Sequence, residues 1–407
     1  MQFHASSASS ASLASLSART RSTWTSESGI APTPLSPLVH CDALSFRAVI
    51  LTHVAPLLAA AVLAGCTAAE PRRLPFTYAP REDGAVNGGV RAILRDRSGY
   101  LWFGSHFEGV CRVNGDEMRR YTTADGLSDN QVRGIQEAAD GTIWFDTAVG
   151  VSCFDRGRIT TPAEREHSLL SPWELAPDDL WFKSNEPHGF NEKERDAGVY
   201  RLHDGRLTYL TLPLPLPLRT NAGYSVTGFA KGKGGRIWIA TYDAVFGFDG
   251  VSFTTIDGVR MGLREGEGMP HVRCVFEDSR RRVWIGNNGV GVVVVDGDKT
   301  VGLAPLAGTG EALLRMGAPL TSSDAVNHDR SLQRVFSIGE DRDGNIWLGT
   351  IGGGAWRYDG HTLRQFTARD GLTTQSVMSI HCDHEGVLWV GGTGVFRFDG
   401  SRFERVY

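Results

Sequence analysis

The chain has no basic excess, few cysteines and no helical rhythm, and each shortage removes a class of protein. With Lys+Arg 42 against Asp+Glu 46 the formal net charge is −4, which leaves no electropositive footprint, so nucleic acid is not expected as a partner. The six cysteines show no CxxC or other ligand spacing, so neither a metal site nor a cofactor is expected. Cys111, Cys153, Cys274 and Cys382 fall on strands of different repeats, which seldom approach to the Cα separation a disulfide needs, and they read as buried free thiols. No GxSxG, HExxH or Walker sequence is present and the histidines are scattered singly, so no catalytic residue is assigned.

What is there is repetition. Trp102, Trp144, Trp181, Trp238, Trp284, Trp347 and Trp389 each follow an aliphatic residue, and in six of the seven a valine lies 12 positions earlier: Val90, Val132, Val226, Val272, Val335 and Val377. A period of about 40 to 50 residues built of short strand-like pieces is the pattern of a β-propeller with four-stranded antiparallel blades. The expected fold is all-β, a single seven-bladed propeller over residues 76–407. Each blade reads as strand A, a tight turn, strand B carrying the tryptophan, strand C and strand D. The turns are Asp-Gly or Asn-Gly pairs such as Asp343-Gly344 and Asn114-Gly115, which suit two residues at positive φ. The tryptophans are expected between neighbouring blades, where a large flat side chain buries the most area. Phe76–Tyr78 and Phe403–Tyr407 both look like outermost strands, so one is expected to complete a blade begun at the other terminus and close the ring.

The first 75 residues carry no repeat. Residues 1–47 are Ser/Ala-rich with Pro32, Pro34 and Pro37, and read as disordered or as lying upstream of the true start. From Ala48 the chain turns apolar behind Arg47 and ends Leu63-Ala64-Gly65-Cys66, a secretory layout over 48–66. It resembles the bacterial lipoprotein signal, which implies lipidation at Cys66, export to the periplasm or outer membrane, and membrane contact only through that anchor. An uncleaved anchor helix is the alternative.

Asp341-Arg-Asp-Gly-Asn-Ile-Trp-Leu-Gly-Thr350, Gly352-Gly-Gly-Ala-Trp-Arg-Tyr-Asp-Gly360 and Phe366-Thr-Ala-Arg-Asp-Gly-Leu372 resemble the two-component regulator propeller repeat, and Tyr121-Thr-Thr-Ala-Asp-Gly-Leu127 repeats the last of these. The likeness covers residues 76–407. In that family such propellers commonly form the periplasmic sensor of hybrid histidine kinases, so the resemblance implies a non-catalytic, sensor-like binding domain for a small molecule, carbohydrate or peptide, acting through a membrane signalling partner.

Strand direction places the B–C and D–A connections on one end of the ring, and the insertions fall there. The gap from tryptophan to strand C is 7 in blade 1 but 17 in blade 3, and the gap from the C–D glycine to the next strand A reaches 38 in blade 5. Loops on a rigid scaffold carry function, so this face is the expected working face. Two positions after the tryptophan, five blades have a small residue (Gly104, Ala240, Gly286, Gly349, Gly391), whereas blades 2 and 3 have Asp146 and Lys183. This pair reads either as a self-compensating ion pair between blades or as part of a ligand pocket roofed by a loop holding Glu186, His188 and Arg195. Asn130, Arg133, Tyr224, His271, Arg273 and Arg334 lie at or just before the start of strand A, and form a second candidate set at the channel mouth, either a solvated rim or a hydrogen-bonding site. Two rival readings remain: a propeller lyase similar to the streptogramin lyases, with His188 or His271 as general base, and a protein-interaction platform with a broad apolar face.

Overall fold

The computed structural model describes residues 89–162, 166–167, 172–183, 196–263, 269–288, 291–305, 312–316 and 332–407. Residues 1–88, with the signal segment, Cys66 and Phe76–Tyr78, lie outside them, as do Glu186, His188 and Arg195. Among the described residues no helix is long and apolar enough to cross a membrane.

Seven sheets, antiparallel but for one strand pair in blade 3, form a seven-bladed propeller. Blade 1 comprises strand A Val90–Arg95, strand B Leu101–Ser105, strand C Val110–Asn114 and strand D Glu117–Tyr121. Blades 2, 4, 6 and 7 repeat this order. Blade 5 gains a fifth strand, Ala312–Met316, so part of the long insertion before Val335 lengthens the sheet. Blade 3 is the departure that matters. Its first strand to pair, Leu180–Lys183, is the tryptophan-bearing strand B, and its fourth member, Glu166–His167, runs parallel on the far side of Arg206–Thr211. Among the described residues, blade 3 has no strand A.

The tryptophans pack between blades. Trp102 lies in one cluster with Val132, Ile135, Phe145 and Phe154 of blade 2, and Trp389 with Val90, Ile93 and Phe103 of blade 1. Each buries nearly all its surface, and four share one polar solution: an aspartate six residues earlier accepts the indole N–H, at 2.7 Å for Asp96 with Trp102 and 2.9 Å for Asp383 with Trp389. The same carboxylates accept the amides of their A–B turns, as Asp341 does from Asp343 and Asn345, so one side chain terminates strand A and anchors strand B. Blade 4 has Gly232 at this position, and Glu277 of blade 5 occupies the space and bonds Trp238 at 2.5 Å. In the A–B turns that begin with these aspartates only the residue three after the aspartate has positive φ (Gly99 88°, Gly344 80°, Gly386 80°, and Arg281 66° in blade 5), so they are three-residue turns, not the two-residue kind expected from Asp-Gly. The two-residue form occurs at Asp204-Gly205, φ 47° and 74°.

Among the described residues no strand is exchanged where the ring closes. Phe403–Arg405 pairs with Val395–Phe398 of blade 7, so the carboxy-terminal residues complete their own blade and not one begun at the amino terminus. Face-to-face packing takes over: Tyr407 stacks near Phe103 with its hydroxyl donating to the Gly115 carbonyl, and buried Arg95 of blade 1 pairs with Asp383 and Glu385 of blade 7. The four repeat cysteines are free; Cys111 and Cys153 are buried, Cys274 and Cys382 partly so.

Candidate functional site

In six blades strand A lines the central channel, and in five of them its register slips by one residue just after the first valine: Val90/Ala92, Val132/Gly134, Val226/Gly228, Val272/Cys274 and Val335/Ser337. Such a bulge leaves one unpaired residue and re-aims its side chain. The bulged residues are Arg91, Arg133, Thr227, Arg273 and Phe336, and all five line one cavity of about 650 Å³ at the ring's centre. Met378 of blade 7 holds the corresponding place.

Blade 3 contributes through what it lacks. In regular blades the residue two after the tryptophan must be small because the next blade's strand A lies on it: a Cβ on Gly104 would meet Val132 at 2.6 Å, one on Gly349 would meet Val377 at 2.6 Å, and one on Gly391 would meet Val90 at 2.8 Å. Among the described residues no strand A of blade 3 lies on Asp146 from the neighbouring blade or on Lys183 from its own sheet. Both side chains line the cavity. Among the described residues this edge of Leu180–Lys183 has no backbone partner, and blade 2 side chains bond it. The Lys183 amide donates to Asp146 Oδ2 at 3.3 Å, and Gln136 Nε2 donates to the Trp181 carbonyl at 2.7 Å. The two charged side chains form no salt bridge with each other; the contact runs through the lysine backbone. Asp146 Oδ1 is buried with no hydrogen-bond partner, and burial pushes this carboxyl up to about 6 despite the nearby cations Lys183, Arg133 and Arg91. Burial likewise pulls the Lys183 ammonium down to about 8.

The arginines are held by neutral groups. Arg91 meets His106 Nδ1 at 3.0 Å, Arg133 Nε donates to Gln131 Oε1 at 2.6 Å, and Gln131 Nε2 contacts His106, linking blades 1 and 2 along the mouth. Arg273 donates to the Tyr242 hydroxyl at 3.2 Å and stands over the rings of Tyr242 and Phe336, at 4.9 and 5.2 Å from their centroids. Burial, with the neighbouring Arg133 and Arg273 adding to it, lowers Arg91 to about 10. Burial pushes the Cys274 thiol up to about 12, so this cavity residue stays protonated and unreactive at neutral pH.

Of the residues singled out from sequence, Asp146, Lys183, Arg133 and Arg273 meet at the cavity. Asn130, Tyr224, His271 and Arg334 do not line it. Asn130 Oδ1 accepts the Thr123 amide at 2.9 Å, Tyr224 packs near Phe246, and Arg334 Nε donates to Asn288 Oδ1 at 2.9 Å. His271, at φ 50°, sets its ring edge-on to Tyr242. Arg91, His106 and Tyr242 were not singled out. Arg91 could have been found, because Val90-Arg91, Val132-Arg133 and Val272-Arg273 repeat one dipeptide at one register position.

Fold and site together define a propeller whose central cavity is lined by residues of the inner strands and, at blade 3, by Trp181 and Lys183 of strand B. Residues 84–107, 330–352 and 371–394 match the two component regulator propeller family model, and the chain carries repeats of that family. Among solved structures it is similar to the extracellular domain of BT4673 from B. thetaiotaomicron, described as a hybrid two component system (18% identity, TM-score 0.52, 79% of this chain). The chain spans 39% of the length of that domain. It is also similar to a catalytically inactive virginiamycin B lyase from Staphylococcus aureus solved with quinupristin (13% identity, TM-score 0.50, 75% of this chain and 94% of that one). No curated protein matches the sequence.

Proposed function

We propose that the chain is an exported, non-catalytic binding module that takes a small organic ligand, a carbohydrate or short peptide, into the central cavity and acts through a partner. One observation carries this reading: the inner strands enclose a cavity of about 650 Å³, beside a blade 3 with no strand A among the described residues, within the roughly 300 to 1,000 Å³ common for small-ligand sites. A polar cavity supports a ligand pocket over a protein platform. The large apolar side chains exposed among the described residues, Phe107, Leu216, Val251, Val259 and Met269, come from four different loops and form no obvious single face. Export is supported by the signal layout ending at Cys66, with the lipid on that cysteine as the only membrane attachment; Cys66→Ala should move the protein from the membrane to the soluble fraction.

The binding reading is tested by filling the cavity. Thr227→Trp places a large ring at a bulge position that points into it and leaves the surrounding charges in place. Compounds that raise the melting temperature of the unaltered protein in a thermal-shift panel should have no effect on this variant. Equal shifts in both proteins would move the site away from the cavity.

A further inference from the structure

Resting on the cavity as the binding site, we infer that its ligand is a small organic anion with at least two negative charges and an apolar part, held by Arg91, Arg133, Lys183 and Arg273 against Phe336 and Met378. Going round the ring, the channel-facing residues are Arg91, Arg133, Lys183, Thr227, Arg273, Phe336 and Met378. At these positions charge and apolar surface are segregated: the four cations come from blades 1, 2, 3 and 5, with Lys231 of blade 4 also in the wall, and the apolar pair comes from blades 6 and 7.

The cations lack internal compensation. None of the four forms a salt bridge to a carboxylate among the described residues, and Arg273 Nε is buried without a hydrogen-bond partner. Their partners are His106, Gln131 and Tyr242, which satisfy N–H groups without neutralising charge. Among the described residues Asp146 is the one carboxylate lining the cavity, and one of its oxygens is already engaged by the Lys183 amide. With Lys231 of blade 4, which also lines it, five cations face that one carboxylate among the described residues, an excess of four positive charges when all are ionised. Like charges gathered in a partly desolvated space are costly, and the lowered Arg91 and Lys183 values report that cost from both sides of the cavity. An oxyanion relieves it directly. Guanidinium groups match the planar oxygens of carboxylates and phosphate or sulfate esters with paired hydrogen bonds. A neutral sugar would satisfy hydrogen bonds and leave the charge unrelieved.

The test uses the purified full chain with three probes sharing a ring: phenyl phosphate, phthalate and the neutral phenyl β-D-glucoside. Calorimetric titration should show binding of at least one dianion, weakening as salt is raised, and no binding of the glucoside. Arg133→Gln and Arg273→Gln should each weaken that binding by about tenfold or more, and Thr227→Trp should abolish it. The melting temperature of the ligand-free Arg→Gln proteins, expected at or above that of the unaltered protein because a like charge has gone, separates lost binding from lost folding. The stronger of the two dianions assigns the ligand's group as phosphate ester or carboxylate. Binding of the glucoside alone, blocked by Thr227→Trp, would overturn the anionic class and leave the cavity reading standing. Dianion binding unchanged in all three variants would overturn both, and binding of neither dianion would overturn the inference.

Discussion

Asp146 serves two opposed demands. It replaces a missing strand by accepting the Lys183 amide, and it holds a second oxygen, buried and unpaired, at the wall of the cavity. The folded chain therefore resists ionising it, with a value near 6 in place of 3.8. Between about pH 4 and pH 6 the folded state holds a proton the unfolded state has released, so this residue's contribution to stability is complete below pH 4 and is lost as pH rises through 6. Asp146→Asn keeps an acceptor for the Lys183 amide and removes the titration. We expect the unaltered protein to lose, relative to the variant, about 2 to 3 kcal/mol between pH 4 and pH 7, read from urea unfolding at the two pH values. Parallel pH profiles for the two proteins would show that the carboxyl is not buried in this way. The direction for Lys183 is opposite: its lowered value penalises the folded state below about pH 8, and the penalty fades as pH rises toward 10.5.

At the scale of the element, the unit is not the blade but the contact between strand B of one blade and strand A of the next. The small residue two after the tryptophan exists for that contact. At Gly349 an added Cβ would meet Ser337 Oγ at 2.1 Å and Val377 Cγ1 at 2.6 Å, and the surroundings are fully packed. Gly349→Val should cost about 2 to 3 kcal/mol, measured as a drop in unfolding midpoint. Wild-type stability in this variant would mean that the blades can slide apart at low cost. The D–A connectors use the same logic. In Tyr121-Thr-Thr-Ala-Asp-Gly-Leu127, Thr122 and Asp125 cap a short 3₁₀ turn reciprocally, Gly126 takes φ 109° because a Cβ would strike the Ile159 carbonyl, and Leu127 enters the core shared with blade 2. Thr367 to Leu372 repeats this between blades 6 and 7.

At the scale of the molecule, a closed ring has a seam, and here it lies between blades 7 and 1. Among the described residues no strand crosses it. Its strength rests on the Tyr407–Phe103 contact, the Tyr407 bond to Gly115 and the ion cluster of Arg95 with Asp383 and Glu385. Tyr407→Ala should cost about 3 kcal/mol, and hydrogen exchange should rise first in Val90–Arg95 and Ser379–Cys382, the strands bordering the seam. Exchange that rises evenly around the ring would show that opening is not localised there.

The periodic features were legible in the residues alone. Seven tryptophans with valines 12 positions before six of them are enough to set blade number and strand order, because every blade must bury the same face against the same neighbour. The departure at Asp146 and Lys183 was legible as well, since a charge among glycines stands out at fixed register. Its cause was not. That Asp146 and Gln136 bond the edge of Leu180–Lys183, and that bulges turn Arg91, Arg133 and Arg273 into one space, depends on residues far apart in sequence meeting around a closed ring. Repetition along a chain reports what each blade shares. The cavity's charge is a sum over blades, and that sum exists only once the ring brings the strands together.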